Sequence, residues 1–581
     1  MTQEIIREAP ASETLEGQQA NAFFYAPAPN DPILNVNNIQ GNILGGFNKD
    51  YQALLFLEIE NPNAFKQWLE LQIDFIATAS EVIAFNRLFK SSKERRGREG
   101  AVKATWVNIA FSFEGLKKLT NDADAFTDTS FKAGLAARAI DLNDPVDKDG
   151  KPIGWVVGGP DNGKVDVVFI IASDERADLL AEVSRILESI VAFRDDQGKL
   201  KSSGARITFL EEGANLPAPL TGHEHFGNKD GISQPGIRGR VSDNPKDLLT
   251  PRQNSENPNQ GKPGQDVLWP GEFVFGYEGQ NNEAKTLEDS KGEVVSAGLR
   301  LNWANDGSYL VFRRLRQDVY KFHKFLNDTA TYLNTYPPKV SAKLIGRWPS
   351  GAPTVRTPEK DAPCLGDNDD ANNDFEFNGD DPPKNYFFKN DVVPPSDDAT
   401  GLRCPFIAHT RKTYPRNDKT PGGGGSGPEE IERSEVTTQT HRLLRRGIPY
   451  GPVSPSTPNN PLPDEYFVDR GLHFLAYQTS IEDQFEFVTK LWVNNPDFSE
   501  PAATNHKVDG KLPLGHDPII GQSKNNKPNG DRTREFFIHF EDDLGQPRTK
   551  KLTAPEDWVI PTGGGYFFAP SISALKDVLT K

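Results

Sequence analysis

Sulfur is nearly absent from this 581-residue chain, which has two cysteines and only Met1 as methionine. Cys364 and Cys404 are too few for a disulfide framework. Thioethers and thiolates are the side chains that peroxides oxidise first, so the scarcity suits a chain exposed to peroxide, although compositional drift would produce it too. Long apolar runs are missing as well. None approaches the roughly 18 residues of a transmembrane helix, and no membrane association is expected. The opening MTQEIIRE has no apolar core of a secretory signal, so a cytoplasmic location is expected. Cations are outnumbered: the net charge is -16 and the pI about 5.2. Such a surface repels phosphate backbones and argues against nucleic acid as a partner. No pattern specifies an oligomeric state.

What is present is a modest apolar fraction, 36%, with 50 glycines and 45 prolines. The length suggests more than one folding unit, with much loop between regular elements. Residues 1–34 read as an irregular arm. Gln52–Ile59 reads as a buried strand, and Asn61-Pro62-Asn63 as the start of a helix running from Ala64 to Ala77. Thr105–Phe111 is a strand followed by a short helix, Phe113–Leu119. Val165–Ala172 is a β-branched strand, Glu175–Ile190 an amphipathic helix, and Arg206–Leu210 a further strand. The order strand, helix, strand, strand, helix, strand is that of a ferredoxin-like α+β unit. A related order recurs after residue 300, in strands Ser308–Arg313, Leu472–Tyr477 and Tyr566–Pro570 and helices Asp318–Leu333, Ile481–Trp492 and Ile572–Leu579. The expected fold is α+β: two ferredoxin-like units with antiparallel sheets, one over 35–235 and one over 236–581. Long polar stretches at 241–300, 351–400 and 417–434, the last holding Gly422–Gly425, read as coverings or excursions.

Three segments carry chemistry. In FGNKDGISQP, two glycines bracket Asp230. Glycine admits close backbone approach to a flat ligand, placing Gly231 and Ile232 as candidate contacts, though a simple turn with a self-bonded Asp also fits. In RCPFIAHTRKTYPR, His409 lies between apolar residues and three cations. His409 is a candidate axial donor to a haem iron, and Arg411 or Arg416 are candidates for the haem propionates. Cys404 is not part of a Cys-x-x-Cys-His set, so covalent attachment is not expected. In HRLLRRGIPYGP, two arginines precede a Gly-x-Pro turn, which taken alone reads as a solvated basic patch.

Together these runs resemble the dye-decolourising peroxidases. GNKDGISQP is similar to that family's Gly-x-x-Asp-Gly signature, RCPFIAHTRKTYPR to its proximal histidine segment and LLRRGIPYGP to its distal arginine segment. NIQGNIL at 38–44, WPGEFVFGY at 269–277 and GGGYFFAPSISAL near the end support the match, which runs from about residue 35 to the C-terminus. The long loops resemble the family's larger members. The resemblance implies a non-covalent haem b on His409, Asp230 as acid/base for hydrogen peroxide, Arg445 stabilising the developing charge, and Leu472 and Phe474 lining the peroxide pocket. It implies bulky organic donors such as anthraquinone dyes and phenols, and an acidic optimum. A buried acid should orient His409, with Asp517 and Asp557 both candidates. Tyr450 is the first candidate for an electron relay toward the surface, with Trp269, Tyr277 and Trp558 behind it. The competing readings are a haem-binding or iron-retrieving protein, which would not need both Asp230 and Arg445, and a colourless binding protein without haem. A thiolate-haem monooxygenase is disfavoured, because neither cysteine sits in a glycine-bracketed loop.

Overall fold

The computed structural model describes residues 31–97, 102–195, 197–253, 257–280, 286–288, 294–296, 301–378, 398–418, 420, 435–463, 468–499, 514–524, 531–541 and 547–581. Gly422–Gly425 and all but the end of the 1–34 arm lie outside them. Eight strands organise the chain: β1 Tyr51–Ile59, β2 Thr105–Phe111, β3 Val167–Ser173, β4 Ala205–Ala214, β5 Ser308–Gln317, β6 in two pieces (Leu444–Arg445 and Ile448–Tyr450), β7 Gly471–Gln478 and β8 Val559–Ala569. They are antiparallel neighbours in the order β5-β8-β2-β3-β1-β4-β6-β7, and β7 pairs again with β5, closing a barrel. The closure has two thin seams. Phe568 opposite Phe111 joins β8 to β2, and Tyr450 opposite Gly213 joins β6 to β4. Between the seams are two four-stranded sheets with the same ferredoxin-like order, β2-β3-β1-β4 and β6-β7-β5-β8.

The strands read as near-continuous apolar runs because both of their faces are covered. Side chains alternate across a strand. Leu54 and Phe56 of β1 therefore turn inward to meet Leu310 and Phe312 of β5, with the Phe56 and Phe312 rings 5.2 Å apart inside the barrel. Leu55 and Leu57 turn outward under helices α1 Pro62–Gln72 and α2 Arg176–Val191. Asn61 caps α1 by accepting from the Ala64 amide, with Pro62 at the first helical position. Trp68 of α1 is fully buried and donates its indole N–H to Ser189 of α2 at 3.0 Å. Trp68→Ala leaves a cavity there and removes the donor to Ser189, whose hydroxyl still donates to Ile186 O. It is expected to cost about 3–5 kcal/mol, read as a shift in the denaturation midpoint at unchanged slope.

The structure departs from the expected elements in two places. The first helix stops at Gln72, and a new one, Ala79–Arg96, starts at a Thr78/Glu81 capping box. In the second unit, LLRRGIPY is a strand and not a solvated turn. It keeps one register against β7 from Leu444 opposite Tyr477 to Tyr450 opposite Gly471, with the Arg446 amide donating to Leu475 O, and the Arg-Arg-Gly in its middle hides the apolar pattern that marks a strand. Between the helix α3 Val319–Tyr332 that follows β5 and strand β6 lies a long insertion carrying α4 Pro337–Ile345 and the short α5 His409–Thr413. Its polar sequence does not leave it loose: Trp348, Val355, Phe375, Phe377 and Cys404 are all buried. Among the described residues no helix is long and apolar enough to cross a membrane.

Candidate functional site

This insertion, the loop after β4 and the outer face of β6 and β7 enclose a cavity of about 260 Å³. Leu472 and Phe474 are two apart on β7 and line it, alternating with Leu475, which points into the barrel. Asp230, Gly231, Ile232, His409, Arg416 and Arg445 line the same cavity. Segments more than 200 residues apart in sequence therefore meet at one place.

Asp230 is set by its turn. Its amide donates to Gly222 O at 3.0 Å, and Gly231 takes φ +74°, a value glycine adopts without strain. The Gly231 amide donates to Asp230 Oδ1 at 2.6 Å, and Arg445 Nη1 donates to the same oxygen at 3.1 Å. Although deep in the protein, the Asp230 side chain is 41% exposed, because it borders the cavity. Burial pushes its pKa up, but the Arg445 charge and the Gly231 amide outweigh this, and the net shift is downward.

Arg445 is aimed by the same loop, with Nη2 donating to Ser233 O at 3.1 Å and Gln234 bonding its main chain. Its neighbour Arg446 points elsewhere. It donates to the carbonyls of Asn42, Ile43 and Leu44, capping the C-terminal end of the Gly41–Leu44 helix within the NIQGNIL run. Of two adjacent arginines, one faces the cavity and one holds the fold together.

His409 opens α5. Its Nδ1 is 2.8 Å from Asp517 Oδ2, and Asp517 is fully buried, with Oδ1 accepting from the amides of Ile519 and Ile520. Asp517 is therefore the acid beside His409. Asp557 is used by Arg532 at 2.6 Å and Arg534 at 3.4 Å. Burial acts to lower the His409 pKa, and Asp517 turns the net shift upward. Among the described residues His409 Nε2 has no hydrogen-bond partner.

Arg411 is not a cavity residue. It is 1% exposed and its guanidinium is held by Asp418, Asp398 and Cys404 O. This corrects its candidacy as a propionate anchor. Arg416 does line the cavity, and so does Arg347 of the IGRWPSGAP segment, which the sequence reading missed. Among the described residues Arg347 makes no ion pair; its partners are Gly351 O, Asn372 O and Asn373 Oδ1. Burial, with Arg416 nearby, lowers its pKa to about 9. The carboxylate nearest Arg416 is Glu376, at 3.5 Å, and burial raises the Glu376 pKa to about 8. Two buried guanidiniums thus border the cavity without an ionised acid between them at acidic pH, an arrangement that is costly without an anion.

Tyr450 is also corrected as a surface relay. It is 2% exposed, stacked on His473 at 4.8 Å beneath Arg314 at 4.1 Å, and it does not line the cavity. Trp558 is fully buried against Phe322 and Phe325. Trp269 and Tyr277 are half-buried, under Arg238 and bonded to Asp306 respectively.

A histidine with one nitrogen buried against a carboxylate and the other facing a largely apolar cavity, beside a carboxylate–guanidinium pair and two further buried arginines, fits a haem. Site and barrel together define a haem peroxidase. The family model for the DyP dimeric alpha+beta barrel domain matches residues 38–205. Peroxidase 2 of Mycetinis scorodonius is 32% identical over 554 residues, covering 94% of this chain and 88% of that protein. AauDyP1, a dye-decolorizing peroxidase of Auricularia auricula-judae, is 31% identical and covers 93% and 86%. An ancestral D-type dye decolorizing peroxidase superposes with TM-score 0.67 at 32% identity, covering 94% and 99%. A dye-decolorizing peroxidase in complex with 2,6-dimethoxyphenol gives TM-score 0.67 at 28% identity, covering 94% and 100%. The chain belongs to the dye-decolourising peroxidase family.

Proposed function

We propose that Asp230 and Arg445 cleave hydrogen peroxide at a non-covalently held haem b ligated by His409, and that the chain oxidises bulky phenols and anthraquinone-type dyes under acidic conditions. One observation carries this reading: the Arg445–Asp230 pair, at 3.1 Å, shares a cavity with a histidine tied to a buried carboxylate. When bound, the haem supplies the redox chemistry, taking up the oxidising equivalents of peroxide and returning them to donors.

The rest is proton and charge management by the chain. Asp230 Oδ1 is occupied by Gly231 and Arg445, while Oδ2 accepts no hydrogen bond among the described residues. Oδ2 takes the proton from one peroxide oxygen and delivers it to the other, which leaves as water. Arg445 donates toward the charge building on that leaving oxygen. Because the Asp230 pKa lies below its ordinary value, the base form persists at acidities where a histidine would be protonated. This supports an acidic optimum. Leu472 and Phe474 would narrow the peroxide side, Gly231 and Ile232 would contact the haem, and Arg347 and Arg416 would hold its propionates. A donor as large as a dye would then give up its electron from outside the cavity. The reading includes a cytoplasmic site of action, which fractionation of the producing cells tests.

The experiment is a visible spectrum of the haem-loaded protein before and after one equivalent of hydrogen peroxide. A Soret band that shifts at once and returns on adding 2,6-dimethoxyphenol is expected. A band indifferent to peroxide would leave a haem carrier, and absence of any band would remove His409 as ligand.

A further inference from the structure

Asp230 closes a tight hairpin, and a second carboxylate is folded into that hairpin. The Glu224 amide donates to Asn228 O at 3.0 Å, the Gly227 amide donates to Glu224 O at 2.9 Å, and His223 bridges Lys229. Gly227 takes φ +90° at the turn. The Glu224 side chain reaches back over the turn and lines the same cavity as Asp230.

Glu224 uses each of its oxygens twice. Oε1 accepts from the Asn228 amide at 2.9 Å and from Asn228 Nδ2 at 3.1 Å. Oε2 accepts from the Phe226 amide at 2.8 Å and from Gln317 Nε2 on β5. All four donors are neutral, and among the described residues Glu224 forms no ion pair. Burial raises its pKa, and the four donors only partly offset the rise. A carboxylate held in this way is costly, and its contacts give it one use. It fixes the two main-chain amides that lead to Asp230 and ties them to the barrel through Gln317. Asn228 carries the tie on to α4, where its Oδ1 accepts from Ser341 Oγ at 3.2 Å. His225 and Phe226 anchor the hairpin independently, at Tyr450 O (2.8 Å) and the Phe322 ring (4.4 Å).

An amide of the same shape cannot take the place of Glu224. Glutamine offers one oxygen and one NH2 group, and the NH2 meets two donors whichever way the side chain turns.

We propose that Glu224 is a positioning residue for Asp230, holding the hairpin so that the Asp230 carboxylate meets peroxide and Arg445 in working geometry. The proposal rests on the acid/base role of Asp230 given above. Haem-loaded Glu224→Gln should react with hydrogen peroxide about 10–100-fold more slowly, the scale of loss when a reacting group is misplaced by about an ångström. Its Soret band before peroxide should be unchanged, because His409 and Asp517 are untouched. Cyanide supplies a readout without turnover. It enters as HCN and yields its proton to the distal base, so its association rate, followed in the Soret band, should fall in parallel. The deciding comparison repeats the substitution in an Asp230→Asn background, where it should change either rate by less than about threefold, since residues that act as a unit are not additive. Full additivity would overturn the proposal. So would a Glu224→Gln protein with a lowered denaturation midpoint and both rates intact, the mark of a merely structural role. If Asp230→Asn alone left both rates unchanged, the acid/base reading of Asp230 would fall first and take the proposal with it. Should Glu224→Gln not fold, Gln317→Met withdraws only the β5 donor. It should give a smaller loss of both rates that again disappears in Asp230→Asn, and the absence of any loss would overturn the proposal.

Discussion

Arg445→Leu should slow the reaction with hydrogen peroxide by about 10²–10³-fold, the usual loss when one preorganised donor to a developing negative charge is removed, while haem stays bound. The Soret band before peroxide should be nearly unchanged, because His409, Asp517, Arg347 and Arg416 are untouched. The same variant should move the acid limb of the rate profile, and the sign follows from the balance at Asp230. Burial pushes that carboxyl up and Arg445 is the largest influence pulling it down. Without Arg445 burial is opposed only weakly, and the folded pKa rises above its present position. The base form is then lost at a higher pH, so the acid limb should shift toward neutrality. Stopped-flow rates from pH 3 to 7 read both effects. Arg446→Leu is the control, since Arg446 holds the carbonyls of Asn42, Ile43 and Leu44. It should lower the denaturation midpoint and leave the acid limb where it is. A unit-sized shift of the limb in Arg446→Leu, or none in Arg445→Leu, would count against the assignment of the two arginines.

The second large effect lies at the histidine. His409→Ala should abolish stable haem binding, with no Soret band after reconstitution and dialysis. Asp517→Asn should weaken haem binding or activity by about 10–100-fold, the usual range when the group orienting a metal-bound histidine is lost. The Asp517 carboxylate accepts from His409 Nδ1, leaving Nε2 as the donor atom toward the cavity, and it strengthens that donor. An amide in its place can present either its oxygen or its N–H to the ring, so the tautomer is no longer enforced. Asp557→Asn should leave the spectrum alone and act on stability, since Asp557 serves Arg532 and Arg534. A Soret band of full intensity in His409→Ala would end its candidacy as axial ligand.

The candidate site residues stood out in the sequence through the family resemblance of three contiguous runs; taken singly, Asp230 fitted a self-bonded turn and the paired arginines a solvated patch. The strands β1, β2, β3 and β5 were legible because burial on both faces demands unbroken β-branched and aromatic runs. Strand β6 was not legible. Two arginines and a glycine interrupt its apolar residues between Leu444 and Ile448, and two arginines in succession read as solvent-facing.

By itself, the sequence determined the two ferredoxin-like units and the exclusion of disulfide and membrane-helix chemistry, which depend on composition and on periodicity within a segment; the runs that hold the candidate site residues it marked only through a family resemblance. Only the tertiary structure shows which of several similar residues lies where: Asp517 and not Asp557 beside His409, and Arg416 with Arg347 and not Arg411 at the cavity, while it sets Arg445, already singled out by the resemblance, apart from Arg446. It also withdrew Tyr450 from the surface. Each of these choices turns on partners that lie far away in the chain, such as Asp398 and Asp418 around Arg411 or the Gly41–Leu44 helix above Arg446. A residue's own neighbours in sequence say what it is able to do, and the groups folded against it leave it free or occupied.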